Sequence, residues 1–173
     1  MKVNQRRCFF FDRDGVINKD KGYISKIKDI DLFPKVGQAI KECNKNKFLV
    51  IIITNQSGVG RGLIKLKELK LIHNFIKKKI KKNNAYIDDI FFCPYHPTSG
   101  LGKYKRTSYE RKPNPGMIIK AIKKWRIDPG KSFMIGDKIT DRSAAKSANI
   151  KFFFKSKKID LHKQIKFILK NYL

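Results

Sequence analysis

The chain has 173 residues, 41 of them Lys or Arg and 14 Asp or Glu, for a formal charge of +27. That length predicts one domain over residues 1–173, at about 100–200 residues per domain. Apolar residues make up 41% of the chain, with 13 Phe, so a core can be buried and a disordered chain is excluded. The longest apolar run, Phe48 to Ile53, falls far short of the about 20 residues that span a bilayer. The N-terminus meets acidic residues directly after its first apolar run, which is no secretory leader and predicts a cytoplasmic protein. Cys8, Cys43 and Cys93 are odd in number and widely spaced, which argues against a disulfide framework. Lys outnumbers Arg and is scattered along the whole sequence. A dedicated nucleic-acid surface would favour Arg and concentrate charge, so the pattern weighs against a nucleic-acid partner.

In chain order, short apolar runs alternate with amphipathic stretches. Cys8–Phe11 reads as a buried strand, followed by a helix on Val36, Ala39, Ile40 and Cys43. Phe48–Ile53 is a second strand, and a Lys-rich helix over about 65–82 carries Leu69, Ile72, Ile76 and Ile80 on one stripe. Ile87–Phe92 is a third strand, with a helix on Met117, Ile118, Ala121, Ile122 and Trp125 after a long loop. Ser132–Ile135, a helix over 140–149, Lys151–Phe154 and a helix on Leu161, Ile165, Ile168, Leu169 and Tyr172 complete the chain. This alternation predicts an α/β fold: a three-layer, doubly wound, Rossmann-like parallel sheet.

In such sheets a ligand lies beyond the C-terminal ends of the strands. The polar motifs sit there. Asp12-Arg13-Asp14-Gly15 follows the first strand, Thr54-Asn55-Gln56-Ser57-Gly58 the second, and Gly136-Asp137-Lys138 the fourth. Arg111-Lys112-Pro113 closes the loop after the third. Carboxylates gathered in one place repel unless a cation lies between them, and oxygen donors favour a hard ion, most simply Mg²⁺. Asp141 reads either as part of this group or as a helix cap. The TNQSG segment reads as a donor-rich loop able to hold phosphate oxygens, and equally as an ordinary polar turn. Pro113 biases Lys112 to an extended backbone, while Asn114 can cap the next helix with Pro115 in its first turn.

FFDRDGVIN, IIITNQSG, RKPNPG and MIGDKITD resemble the four motifs of the haloacid dehalogenase superfamily of phosphohydrolases. With DKGYI, TNQSGVGRG and CPYHP, the chain resembles the branch of heptose 1,7-bisphosphate phosphatases and histidinol-phosphatases. The resemblance covers about residues 8–154. It implies that Asp12 is the nucleophile and Asp14 the general acid and base. It implies a Mg²⁺ held by Asp12, Asp137 and the backbone carbonyl of Asp14, with Thr54 and Lys112 on the phosphoryl oxygens. Asp20, Lys21, Gly22, Tyr23, Asn55, Gln56, Ser57, Arg111 and Lys138 match the branch's substrate segments by position. The implied substrate is a small phosphorylated sugar, the implied fold lacks a cap domain, and a monomer is favoured. Histidinol phosphate and a nucleic-acid 3′-phosphate remain alternatives.

One segment departs from the branch. Many of its members bind a structural Zn²⁺ through three Cys and one His in the loop before Arg-Lys-Pro. Here only Cys93 stands at such a position. Tyr95 replaces the His, and Ser108 and Glu110 replace the other Cys, with His96 merely adjacent. A tetrahedral zinc site needs four good donors, so no zinc is expected.

Overall fold

The central strands are continuous apolar runs because both faces of the sheet are covered. In the computed structural model, which describes residues 5–172, β1 (Cys8–Phe11) and β2 (Leu49–Asn55) lie side by side at its middle. β3 (Asp89–Cys93) pairs with β2, while β4 (Phe133–Gly136) and β5 (Lys151–Phe154) extend the other side. Every pairing is parallel, and the order is β3-β2-β1-β4-β5. Residues 1–4 and 173, the ends of the expected 1–173 domain, lie outside the described residues.

Alternate residues of each strand serve opposite faces. Phe9, Phe11, Val50, Ile52, Phe133 and Ile135 pack with α1 (Val36–Lys45), α3 (Leu66–Lys81) and α6 (Leu161–Tyr172). Phe10, Ile51, Ile53 and Met134 pack with α4 (Gly116–Trp125) and α5 (Ile139–Ser147). The expected three layers are present. Among the described residues, no helix is long and apolar enough to cross a membrane.

Three local expectations change. β2 continues through Thr54 and Asn55, because they pair with Phe92 and Cys93 of β3. The polar segment is therefore a strand end followed by a single helical turn, α2 (Ser57–Gly60), rather than a loop. Asn114 does not cap α4: its amide donates to the Ser108 carbonyl at 3.1 Å, and Pro115 holds the cap position without a side-chain bond. The chain leaves β1 toward β2 and β3 but returns to build β4 and β5 on the other side. That reversal opens a crevice between the C-terminal ends of β1 and β4.

Candidate active site

Asp12 stands at that crevice. Its N–H donates to the Ile135 carbonyl of β4 at 3.0 Å, so the backbone fixes it between the two strands. Its Oδ1 accepts from the Arg13 N–H at 2.7 Å and meets the Lys112 ammonium at 2.8 Å. Lys112 is only 4% exposed. Its Nζ also lies 2.6 Å from Asp141 Oδ1 and donates to the Ile53 carbonyl at 2.9 Å. Burial opposes this ammonium, but Asp12 and Asp141 outweigh it and raise its pKa.

Asp141 answers both readings made of it. Its Oδ2 accepts from the N–H groups of Asp137 and Lys138, at 3.1 and 3.0 Å, which caps the start of α5. Its Oδ1 turns to Lys112. Carboxylate oxygens of Asp12, Asp137 and Asp141 come within 4.8 Å of one another. Oxygens on opposite sides of a bound Mg²⁺ stand about 4.2 Å apart, so this donor set fits a hard cation. Lys112 pairs with two of the three carboxylates, Asp12 and Asp141, while Asp137 feels chiefly the charge of Lys138. Burial, and after it Asp141 and Asp14 against the pull of Lys112, pushes the Asp12 carboxyl up to about 6. Burial likewise raises Asp137. A cation here would reverse both tendencies. Gly15 lets the turn after β1 close on this group. Its φ is +86°, and a Cβ there would stand 2.1 Å from Asp137 Oδ2.

Asp14 turns away from the cluster. The Arg13 guanidinium holds it side-on through Nε to Oδ1 at 3.1 Å and Nη2 to Oδ2 at 2.9 Å. Asn18 donates to Oδ1 and Gln56 to Oδ2, each at 2.9 Å. The same Gln56 amide nitrogen is 2.9 Å from Thr54 Oγ1, so Gln56 ties Thr54 to Asp14. Asn55 braces Lys112 by exchanging two bonds with its backbone, at 3.0 and 3.1 Å.

Asp12, Asp14, Thr54, Lys112 and Asp141 line a cavity of about 310 Å³, with Asn55, Ser57, Arg111 and Lys138 around them. A neighbouring cavity of about 300 Å³ shares Asp14 and Lys138 and adds Asp20, Gly22 and Tyr23. Lys138 spans the rim: its ammonium pairs with Asp20 at 2.9 Å, and its side chain is 53% exposed. The expected residues thus converge, with one exception. Lys21 extends toward Asp31, 3.6 Å away, and lines neither cavity.

Sequence reasoning passed over Arg13, His73 and Arg61. Arg13 was signalled by its place between two site acids, and His73 by being a polar residue on the apolar stripe of α3. Arg61 lies 5.4 Å from the Tyr23 ring, with its Nε buried and without a partner among the described residues. Its signal was the GVGRG that continues the TNQSG motif.

The loop that departs from the zinc pattern is held by ordinary contacts. Arg106 stacks 4.0 Å above the Tyr95 ring, whose centroid is 5.9 Å from that of Tyr104. Arg111 donates to the Tyr95 carbonyl at 3.1 Å. His96 Nδ1 accepts from the N–H groups of Thr98 and Ser99, at 3.3 and 3.1 Å. Glu110 pairs with Lys120.

Residues 104–155 match the profile of the haloacid dehalogenase-like hydrolases. The chain is 39% identical over 158 residues to D-glycero-beta-D-manno-heptose-1,7-bisphosphate 7-phosphatase of Rhodopseudomonas palustris, covering 91% of this chain and 88% of that one. The chain belongs to the haloacid dehalogenase-like phosphatases. It is therefore a phosphoric monoester hydrolase of the heptose bisphosphate phosphatase branch. A second relative, the alpha-anomer 7-phosphatase of Burkholderia mallei, is 37% identical over 146 residues, covering 84% of this chain and 77% of that one. The fold is also that of D,D-heptose 1,7-bisphosphate phosphatase from B. bronchiseptica, a crystal structure complexed with magnesium and phosphate. The two share a TM-score of 0.80 at 24% identity, over 95% of this chain and 98% of the other.

Proposed function

We propose that this phosphatase removes the 7-phosphate of D-glycero-D-manno-heptose 1,7-bisphosphate through an aspartyl-phosphate on Asp12. The observation that carries the reading is the convergence of Asp12, Asp137 and Asp141 at the β1–β4 crevice, with the buried Lys112 ammonium paired to Asp12 and Asp141. A carboxylate oxygen of Asp12 attacks phosphorus as the bond to the sugar oxygen breaks. Asp14 gives its proton to that leaving oxygen. Asp14 then takes a proton from water as the water oxygen attacks phosphorus. The bond to Asp12 breaks and inorganic phosphate leaves. Lys112 and Thr54 hold the phosphoryl oxygens and offset their charge. Asp12, Asp137 and the backbone carbonyl of Asp14 would hold a Mg²⁺, with the Asp141 carboxylate beside them, and the ion supplies charge neutralisation when bound. The 24%-identical B. bronchiseptica structure adds only the fold to this reading; the two curated relatives support the substrate.

The test is phosphate release from the two heptose bisphosphate anomers, histidinol phosphate and a 3′-phosphorylated oligonucleotide. One heptose bisphosphate should be preferred at least about a hundredfold in kcat/KM. Chelation should abolish turnover and Mg²⁺ restore it, and Asp12→Asn should be inactive though folded. Efficient turnover of histidinol phosphate or the oligonucleotide would replace the substrate assignment. Full activity in the chelator would overturn the metal assignment.

A further inference from the structure

The side chain of Arg13 is almost wholly enclosed, 1% exposed, although its neighbours Asp12 and Asp14 are placed for chemistry. A guanidinium keeps its proton when buried, so each of its N–H groups needs an acceptor. Asp14 takes one edge, with Nη2 within 3.0 Å of Oδ1 and 2.9 Å of Oδ2. Nη1 points the other way and lies 3.3 Å from His73 Nε2. His73 belongs to α3, is 7% exposed, and sets its ring edge-on to Phe92 at 5.8 Å. Burial first, then Arg13 and Lys77, pushes the His73 imidazole down to about 3. It is therefore neutral at physiological pH, with Nε2 free to accept. Asn18 and Gln56 hold the outer ends of Asp14, but the guanidinium itself has only Asp14 and His73 as side-chain partners among the described residues. His73 supplies a second anchor from a packed helix outside the cavity.

We propose that Arg13 and His73 are a positioning pair: His73 fixes the Arg13 guanidinium, which fixes the plane of the Asp14 carboxylate for its two proton transfers. The inference rests on reading Asp14 as the acid and base. Neither Arg13 nor His73 lines the cavity, so both act through Asp14 and not on the substrate. A carboxylate turned out of line loses a large factor in rate while substrate still binds.

The experiment compares His73→Phe, His73→Gln, Asp14→Asn and the double variant His73→Phe/Asp14→Asn. Substrates are the heptose bisphosphate and aryl phosphates from p-nitrophenyl to phenyl, with thermal melting as the check on folding. His73→Phe keeps a ring but removes the acceptor. It should lower kcat on the heptose bisphosphate about tenfold or more, with KM within about threefold. Its loss on aryl phosphates should grow as the leaving group becomes more basic. His73→Gln, whose amide oxygen can accept, should recover most of the rate. In the Asp14→Asn background, His73→Phe should change the residual rate less than about twofold. Equal losses on every aryl phosphate, or additive losses in the double variant, would reduce His73 to a packing residue. If Asp14→Asn is disabled but His73→Phe is not, the pair fails and the acid–base reading stands. If Asp14→Asn stays within tenfold of wild type, the acid–base reading fails first. Should His73→Phe not fold, Arg13→Lys carries the same readouts, since it keeps the charge and loses the two-edged geometry.

Discussion

Lys112 and the lysines of α3 are the same side chain in opposite settings. Lys112 is enclosed, and its ammonium meets two carboxylates and a carbonyl. Lys67, Lys70, Lys78, Lys79 and Lys81 are exposed, and none is within ion-pair distance of an acid among the described residues. Two charges 4 Å apart interact by about 1 kcal/mol in water and about 4 kcal/mol at the effective dielectric of a protein surface. The net charge of +27 therefore says little about any one ammonium, because an enclosed one acts on its neighbours several times more strongly than a hydrated one. The difference teaches that position relative to the strand ends, not the number of charges, decides which lysine is built into the carboxylate cluster.

The sharpest way to break this comparison is Lys112→Met, which keeps the stem and deletes the ammonium. It should lower kcat/KM by about a thousandfold or more, because a preorganised cation beside a developing charge is lost. Stability should fall as well, by about 3–5 kcal/mol, since Asp12 and Asp141 then face each other unpaired. Urea unfolding and steady-state phosphate release check the two halves. A loss of less than tenfold in kcat/KM would put Lys112 on a level with the surface lysines.

Much of this contrast was legible in the sequence. Asp12, Asp14 and Asp137 fall within three residues after an apolar run and Lys112 precedes a proline, so strand ends and turn chemistry located them. Three-dimensional partnership was not legible. Asp141 caps α5 with one oxygen and reaches Lys112 with the other, and a pattern along the chain offers cap and cluster only as alternatives. Gln56 matched a substrate segment by position, yet its amide nitrogen is engaged with Thr54 and Asp14, which depends on where β1 and β2 end. Asn114 had the residue type and spacing of a helix cap, but the Ser108 carbonyl lay within reach and won its amide. Lys21 stands one residue from Asp20, but its ammonium extends to Asp31 while Asp20 holds Lys138. Arg13 and His73 are 60 positions apart, and no local periodicity links a loop to the middle of a distant helix.

His73 extends the comparison from lysines to a second buried base. Its pKa falls from 6.5 to about 3, through burial and then the positive charges of Arg13 on the β1 turn and Lys77 on its own helix. The unfolded chain therefore takes up this proton before the folded one does. The contribution of His73 to stability is complete above about pH 6.5 and is lost as pH falls through the folded value of about 3. Between those limits the slope reaches up to one proton, about 1.4 kcal/mol per pH unit. His73→Gln removes that component, whereas carboxylate titration is common to both proteins. Urea unfolding of the pair at several pH values between 4.5 and 7.5 should show stabilities that converge as the pH falls. Parallel curves would mean that His73 takes up its proton equally in both states.

The smallest effect belongs to the exposed half of the comparison. α3 leads from the end of β2 back to the start of β3. Its C-terminal turn therefore lies at the opposite end of the sheet from the carboxylates. Lys78→Glu with Lys81→Glu reverses two charges there, about a strand's length from the carboxylates, and salt screens such exposed charges over a Debye length of about 8 Å. The kcat should not change, and KM for a sugar bisphosphate should rise less than about twofold, with a smaller rise still when salt is added. Stability should respond more than activity. These lysines complement the C-terminal end of the helix dipole, and reversing them costs about 0.3–1 kcal/mol each. A lower melting temperature with unchanged turnover is thus the expected signature. A nucleic-acid substrate would invert it. The logarithm of oligonucleotide affinity would then fall steeply with the logarithm of salt, and the two reversals would weaken binding while leaving a small sugar phosphate untouched. Running both substrates on both proteins at two salt concentrations separates the cases, because only a distributed phosphate-backbone contact can make surface lysines matter more than Lys112.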